Sequence, residues 1–239
     1  MGDRERILAR VREGLERDRG RDPGKGASPR PASMRPAAPA PAREVLVTRF
    51  CESCERESVE VHTAADAAEA GDRLMRILKT SGAERIFMWI DPVLAQPEIE
   101  GRIRTSNVVD LTPRQDHVDQ DTFEALAARA DVGITAADWA LADTGTLVLL
   151  SSAGHSRSAS LLPPVHVAVV PASRILSGLE DLVEKLPSDA LEALQRESHV
   201  TLITGTSKTA DIELSLVRGV HGPGTVHVIV IQDTEASQP

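Results

Sequence analysis

The sequence predicts an α/β domain: a mostly parallel sheet with flanking helices and one inserted antiparallel hairpin. Three observations carry the prediction. Strand-like and helix-like segments alternate between residues 85 and 130, the signature of strands joined by crossover helices. Two short apolar segments, Trp139 to Asp143 and Thr146 to Leu150, meet through Thr144-Gly145 and read as a hairpin, with a helix followed by a strand as the alternative. A chain of 239 residues, 41% hydrophobic, is long enough to bury one sizeable core.

Residues 1–19 read as an N-terminal amphipathic helix, with Ile7, Leu8, Val11 and Leu15 on one stripe. That stripe needs a surface, which the domain, a second copy of the chain or a partner would supply; the alternative is a frayed terminus. Residues 20–43 contain six of the fifteen prolines, with Ala, Gly and Arg, and only Met34 as a large apolar side chain. This composition predicts a linker, either a plain tether or a basic segment that docks on an acidic partner.

A single domain is expected over residues 44–233, with a tail over 234–239. Glu44 to Thr48 reads as its first strand. Thr63 is a plausible N-cap for a helix carrying Ala67, Ala68, Leu74, Ile77 and Leu78 and stopped by Ser81-Gly82. Arg85 to Ile90 is a strand ended by Asp91-Pro92, Asn107 to Leu111 another, and Asp121 to Ala130 a helix. After the hairpin come a strand at Val165 to Val170, helices at Leu179 to Leu186 and Ser188 to Glu197, and a strand at Val200 to Thr204. A helix then runs from about Ser207 to Arg218, and Val226 to Ile231 is the last strand.

Composition excludes several function classes. There is no Tyr, and two Trp and three Phe cannot furnish a base-stacking platform. A net charge of −9 and a pI near 5.3 repel a phosphate backbone, so no nucleic-acid partner is expected. The longest apolar runs fall far short of the roughly 20 residues that span a bilayer, and the N-terminus lacks a signal-peptide apolar region. A soluble cytoplasmic protein is expected. No G-x-G-x-x-G turn and no complete Walker loop occurs, which argues against a dinucleotide held in the usual way.

Cys51 and Cys54 form a CxxC that could be a redox pair, half a metal site or two unrelated thiols. Two thiolates cannot supply the four ligands of an iron-sulfur cluster or a closed zinc site. The acidic, loop-like surroundings favour unrelated thiols near solvent. No metal site is expected from the histidines either: His117, His166, His199, His221 and His227 share no short ligand spacing, and His166 reads as a satisfied strand histidine.

Two constellations could carry chemistry. Gly205, Thr206, Ser207, Lys208 and Thr209 follow a strand and open the expected helix, so free backbone N–H groups, hydroxyls and the Lys208 charge could hold a small carboxylate or phosphate. An ordinary capped helix accounts for the same residues equally well. The stretch Ala137 to Pro164 places Asp138, Asp143 and His155 among hydroxyls, with Thr144, Gly145 and Thr146 at the turn as further candidates for binding the substrate or an anion. Either carboxylate could act as base, nucleophile or positioning group, while local turn hydrogen bonding is the plain alternative.

The motifs GITAADWALADTGTLVLLSS, SLLPPVHVAVVPASRIL and ITGTSKTADIELSLVRGVHGPGTVHVIVI closely resemble the lactate-utilization protein C family, whose members carry the LUD domain. The resemblance is strong over Gly133 to Ile231 and weak over Glu44 to Ala130. It implies a fold like that of sugar-phosphate isomerases and coenzyme A transferases. It also implies a role with companion iron-sulfur proteins in oxidising L-lactate to pyruvate, with the clusters on those partners and no cofactor in this chain. On that reading the substrate carboxylate sits near Ser207, Lys208 and Thr209, and Asp143 or Asp138 near the reacting centre, with His155 beside them. Two alternatives stay open: a non-catalytic assembly module for those partners, and an independent coenzyme A- or phosphate-handling enzyme of the same fold. The sequence departs from the family pattern at Asp143, where Glu is commoner, and at Thr206-Ser207-Lys208, where Pro-Ser-Arg is commoner. Lys in place of Arg forgoes bidentate carboxylate recognition. The CxxC and the linker are not features of the resemblance.

Overall fold

The chain enters the described fold as a helix where the sequence suggested a strand. Val47, Phe50 and Cys54 are all buried and fall at the i, i+3, i+7 spacing of one helical face, so α1 (Arg43–Arg56) packs that stripe inward. Burial on one face overrides the strand preference of the two valines. The computed structural model describes residues 41–114, 119–152, 154–185, 199–210, 216–218 and 222–232. The expected N-terminal helix, most of the linker, the Ser188 to Glu197 helix, His117, His221 and the tail lie outside them.

Strand β1 (Glu60–Ala64) follows, half-exposed and too weakly patterned to stand out in sequence. Helix α2 (Ala67–Thr80) buries Ala70, Leu74, Ile77 and Leu78 along one stripe. Its N-cap is Asp66, not Thr63: the Asp66 carboxylate accepts from the Glu69 N–H at 2.8 Å, and Glu69 reaches back to the Ala65 N–H at 2.9 Å. These reciprocal bonds satisfy donors that a Thr63 cap would leave open, because Thr63 is part of β1. The chain continues through β2 (Arg85–Met88), α3 (Pro97–Thr105), β3 (Val109–Asp110), α4 (Gln120–Ala127) and β4 (Val132–Ala136).

The hairpin forms as expected, with β5 (Trp139–Leu141) antiparallel to β6 (Thr146–Ser151). A short helix α5 (Ser158–Leu161), β7 (Val165–Pro171), β8 (Ile175–Leu176), α6 (Leu179–Lys185) and β9 (His199–Ile203) lead to the one large departure from expectation. The helix expected after Gly205 is absent among the described residues. Lys208–Ala210 (β10) instead pairs antiparallel with Leu216–Arg218 (β11), setting Thr209 opposite Val217. β12 (Thr225–Ile231) closes the fold.

The main sheet has the order β1-β12-β7-β4-β2-β3, and every pairing is parallel. β4, β7 and β12 are buried along almost their whole length, as expected where helices cover both faces. Gly133 in β4 has a specific role: a Cβ there would run into the Ala159 carbonyl, so its absence lets α5 lie directly on the sheet. A second sheet, β8-β5-β6-β9, carries the hairpin. Among the described residues no helix is long and apolar enough to cross a membrane.

Candidate functional site

The strand order turns back on itself at β2: the chain goes to β3 on one side and then returns to β4 on the other. In an open parallel sheet the two diverging connections leave a crevice beyond the carboxyl ends of such a strand pair. Here those ends are Trp89 to Asp91, after β2, and Ala137-Asp138, after β4. A third segment, Gly154 to Ser156, crosses the same place: the Ile90 N–H donates to the Gly154 carbonyl at 3.2 Å and Trp89 Nε1 to the Ser156 carbonyl at 2.9 Å.

That crossing positions His155. Its ring stacks on Trp89, with centroids 4.3 Å apart and planes 7° from parallel, and its Nε2 lies 3.5 Å from Asp91 Oδ2. The other Asp91 oxygen accepts from the Val93 N–H at 2.7 Å, which fixes the carboxylate. Asp91 is buried, so the pair is screened little by water. Asp138 Oδ2 accepts from the Leu150 N–H at 2.7 Å. Burial pushes the Asp138 carboxyl above its ordinary value; the Leu150 N–H, His155 and Arg174 pull it down, and Asp91 pushes it up. Arg174 is anchored through Nη1 to the Ala137 carbonyl at 3.0 Å. The result is a histidine with a carboxylate at hand, a second carboxylate made more basic by burial, and a guanidinium. These are the parts of a proton-abstracting site for an anionic substrate.

Of the residues expected at a reacting centre, Asp138 and His155 share this crevice and Asp143 does not. Asp143 lies beyond the other end of β5, exposed, with its N–H on the Ser177 carbonyl at 3.1 Å. Trp89, Asp91 and Arg174 were not singled out from sequence. Asp91 was read only as a strand terminator, and the signal that could have found it is strand order, which no local pattern reveals.

The hairpin turn meets a different partner. Gly145 has φ 66°, a left-handed conformation that favours glycine, and the Ser53 hydroxyl donates to the Ala142 carbonyl beside it at 2.8 Å. The Thr144 and Thr146 hydroxyls lie 2.7 Å apart, and Thr146 is also 2.7 Å from the Thr204 hydroxyl. The turn is thereby joined to the loop Gly205 to Ser207. That loop borders a cleft of about 220 Å³, together with His166, Ser160 and Gly222-Pro223. The Ser207 N–H donates to the Pro223 carbonyl at 3.0 Å, so the loop is a strand connection and not an open helix N-terminus. His166 is fully buried, its Nε2 2.9 Å from the Thr135 hydroxyl, and burial holds it down at about 4, as neutral imidazole. Lys208 and Thr209 fall on β10.

The CxxC lies on α1, not in a loop. Cys54 is fully buried and its thiol donates to the Gly145 carbonyl at 3.5 Å. Burial, then Cys51 and Glu55, push the Cys54 thiol up to about 12, and Cys51 is raised as well. Such thiols suit a packed core and do not fit a redox pair or cluster ligands, which need accessible thiolates. One group among the described residues has donors close enough to hold a metal: Glu60, His62 and His227, drawn from β1 and β12.

Similarity to other proteins covers this whole region. The sequence profile of the LUD domain matches residues 47–231. The chain is 33% identical over 189 residues to lactate utilization protein C of Halalkalibacterium halodurans, covering 79% of this chain and 80% of that protein. It is 34% identical over 195 residues to lactate utilization protein C of Shouchella clausii, covering 80% and 81%. Among solved structures, a DUF162 family protein from Deinococcus radiodurans matches with a TM-score of 0.60, covering 80% of this chain and 99% of that one. At 23% identity that match speaks to the fold alone.

Proposed function

The chain belongs to the LUD domain family, and from that membership we propose that it serves lactate utilization, as a subunit of a multi-protein system that oxidises L-lactate to pyruvate. The relatives named lactate utilization protein C support the process. The observation that carries the chemistry is the 3.5 Å approach of His155 Nε2 to Asp91 Oδ2 at the switch-point crevice.

Oxidising a 2-hydroxy acid removes the hydroxyl proton and, from the adjacent carbon, one further proton with two electrons. His155 takes the hydroxyl proton, and Asp91 stabilises the imidazolium that forms. Arg174 supplies the positive charge that draws the substrate carboxylate to the crevice, and Asp138, a carboxylate made more basic by burial, accepts the second proton. The two electrons would need an acceptor, which iron-sulfur centres on companion proteins would supply. Two thiols, one of them the buried, hard-to-ionise Cys54, cannot supply the four ligands of a cluster, which supports placing those centres elsewhere. The hydroxyl ladder at Thr144, Thr146 and Thr204 and the cleft at Gly205 to Ser207 form a separate place, which we assign to holding the second sheet in register.

Reconstitution tests this reading. Companion proteins supplied with L-lactate and an electron-accepting dye should turn over at least about tenfold faster with this chain than without it; equal rates overturn the proposal. A chain carrying H155F that restores the full rate would show that His155 is not the base. An increase in melting temperature with coenzyme A, and none with lactate, would favour an independent enzyme.

A further inference from the structure

We propose that Glu60, His62 and His227 form a divalent-metal site of the zinc class on the edge of the main sheet. The parallel register of β1 and β12 sets Glu60 directly opposite His227, and His62 follows two residues on, so all three side chains leave the same face. His62 Nε2 is 3.4 Å from His227 Nδ1, and His227 Nδ1 is 3.5 Å from Glu60 Oε2. All three donor atoms lie within 4.8 Å of one another.

The two separations at His227 Nδ1 are close to what a zinc ion demands. With metal-ligand bonds of about 2.0 to 2.1 Å, neighbouring donors of a tetrahedral site stand about 3.3 Å apart. A hydrogen bond between the rings explains less. His227 Nδ1 faces both a ring nitrogen and a carboxylate oxygen, and a single N–H there can serve only one of them. His227 is almost wholly enclosed, and a neutral imidazole offers one lone pair to a metal. With the one proton of each neutral ring on the nitrogen turned away from the cluster, both facing nitrogens offer a lone pair, and metal binding releases no proton.

Two imidazoles and one carboxylate suit zinc, cobalt or nickel better than magnesium or calcium, which prefer all-oxygen shells. Nearby cations oppose the site weakly: Arg73 and Arg76 act on His62, but Arg73 is paired to Glu69 at 2.9 Å. Glu60 is exposed, with 64% of its side chain open, so the fourth position faces solvent and takes water or a donor from another molecule. The cluster sits near the amino ends of β1 and β12, whereas the crevice with His155 lies beyond carboxyl ends.

The test is calorimetric titration of untagged protein with zinc chloride, in a Cys51→Ser background that removes the partly accessible thiol. One zinc per chain is expected, and cobalt should give the strong visible absorption of a four-coordinate nitrogen-oxygen site. H62Q and H227Q should each weaken zinc binding at least about tenfold, and E60Q by a smaller factor. If H227Q fails to fold, H62Q and E60Q still decide the matter, because both side chains reach the surface. Absence of zinc binding, or binding that H62Q and E60Q leave unchanged, overturns the proposal.

Discussion

Cys54 lies directly beneath Gly145: its thiol donates to the Gly145 carbonyl at 3.5 Å, and a Cβ on Gly145 would stand 2.7 Å from the Cys54 nitrogen. Helix α1 and the hairpin turn are therefore in contact backbone to backbone, with no side chain between them. Gly145→Ala should cost about 2 to 4 kcal/mol, because the new methyl meets backbone atoms that cannot swing aside and φ is 66°. Urea denaturation checks this, with Gly101→Ala as control. Gly101 is in α3 with nothing within 4 Å, and alanine there should be neutral or stabilising by up to about 1 kcal/mol.

Asp131 ties the start of β4 to β2 by accepting from the Glu84 and Arg85 N–H groups and the Arg85 guanidinium, at 3.0, 2.8 and 2.9 Å. The Arg85 guanidinium, ahead of the two N–H groups, holds its carboxyl below the usual range. A carboxyl lowered in the fold stabilises above its unfolded value, near 3.9, and that contribution disappears as pH falls through the folded value. Since both side chains are partly exposed, the effect is screened. Asp131→Asn should cost about 1 kcal/mol at pH 7, and the difference from wild type should close as pH drops below about 4. A gap that stays constant down to pH 2 would refute the assignment.

His166 sets a second pH dependence of the same sign in a higher window. Its folded value of about 4 lies below the ordinary 6.5, so the unfolded chain binds the proton first. The contribution is complete above about pH 6.5 and declines as pH falls toward 4, a loss of about 3 kcal/mol across the window. His62 and His227 are lowered too and add to the wild-type slope. Comparison with His166→Gln isolates the one residue: between pH 6.5 and 4 the variant should lose stability distinctly less steeply. Parallel curves would show that His166 is not held neutral.

The architecture was legible where periodicity is strong and one element buries one face. The stripe Leu74, Ile77, Leu78 announced α2, and Thr144-Gly145 announced the hairpin. Glu44 to Thr48 misled because its valines favour strands locally, while the contacts of Ser53 and Cys54 that hold α1 in place are made with the hairpin turn some 90 residues away. The segment after Gly205 misled because Thr and Ser fit a helix cap as readily as a strand connection, and only pairing with Leu216–Arg218 decides. At the crevice, Asp138 and His155 were visible as reactive side chains. Asp91 was not, because its nearness to His155 comes from strand order and not from spacing.

The assignment of His155 can be separated from its packing. Replacing it with alanine would remove the proton acceptor and the stack on Trp89 together, so a loss of activity could come from either. His155→Phe keeps a flat ring over Trp89 and removes only the ring nitrogens, one of which faces Asp91. Lactate-dependent electron transfer in the reconstituted system should fall by about 10² or more, the usual size of a general-base contribution. Thermal unfolding of the isolated chain should move little, since the 4.3 Å ring contact is preserved. Asp91→Asn should fall between wild type and His155→Phe, because it leaves the base in place and removes only the charge that stabilises its protonated form. If His155→Phe and Asp91→Asn both keep full activity at unchanged stability, the base lies outside this crevice.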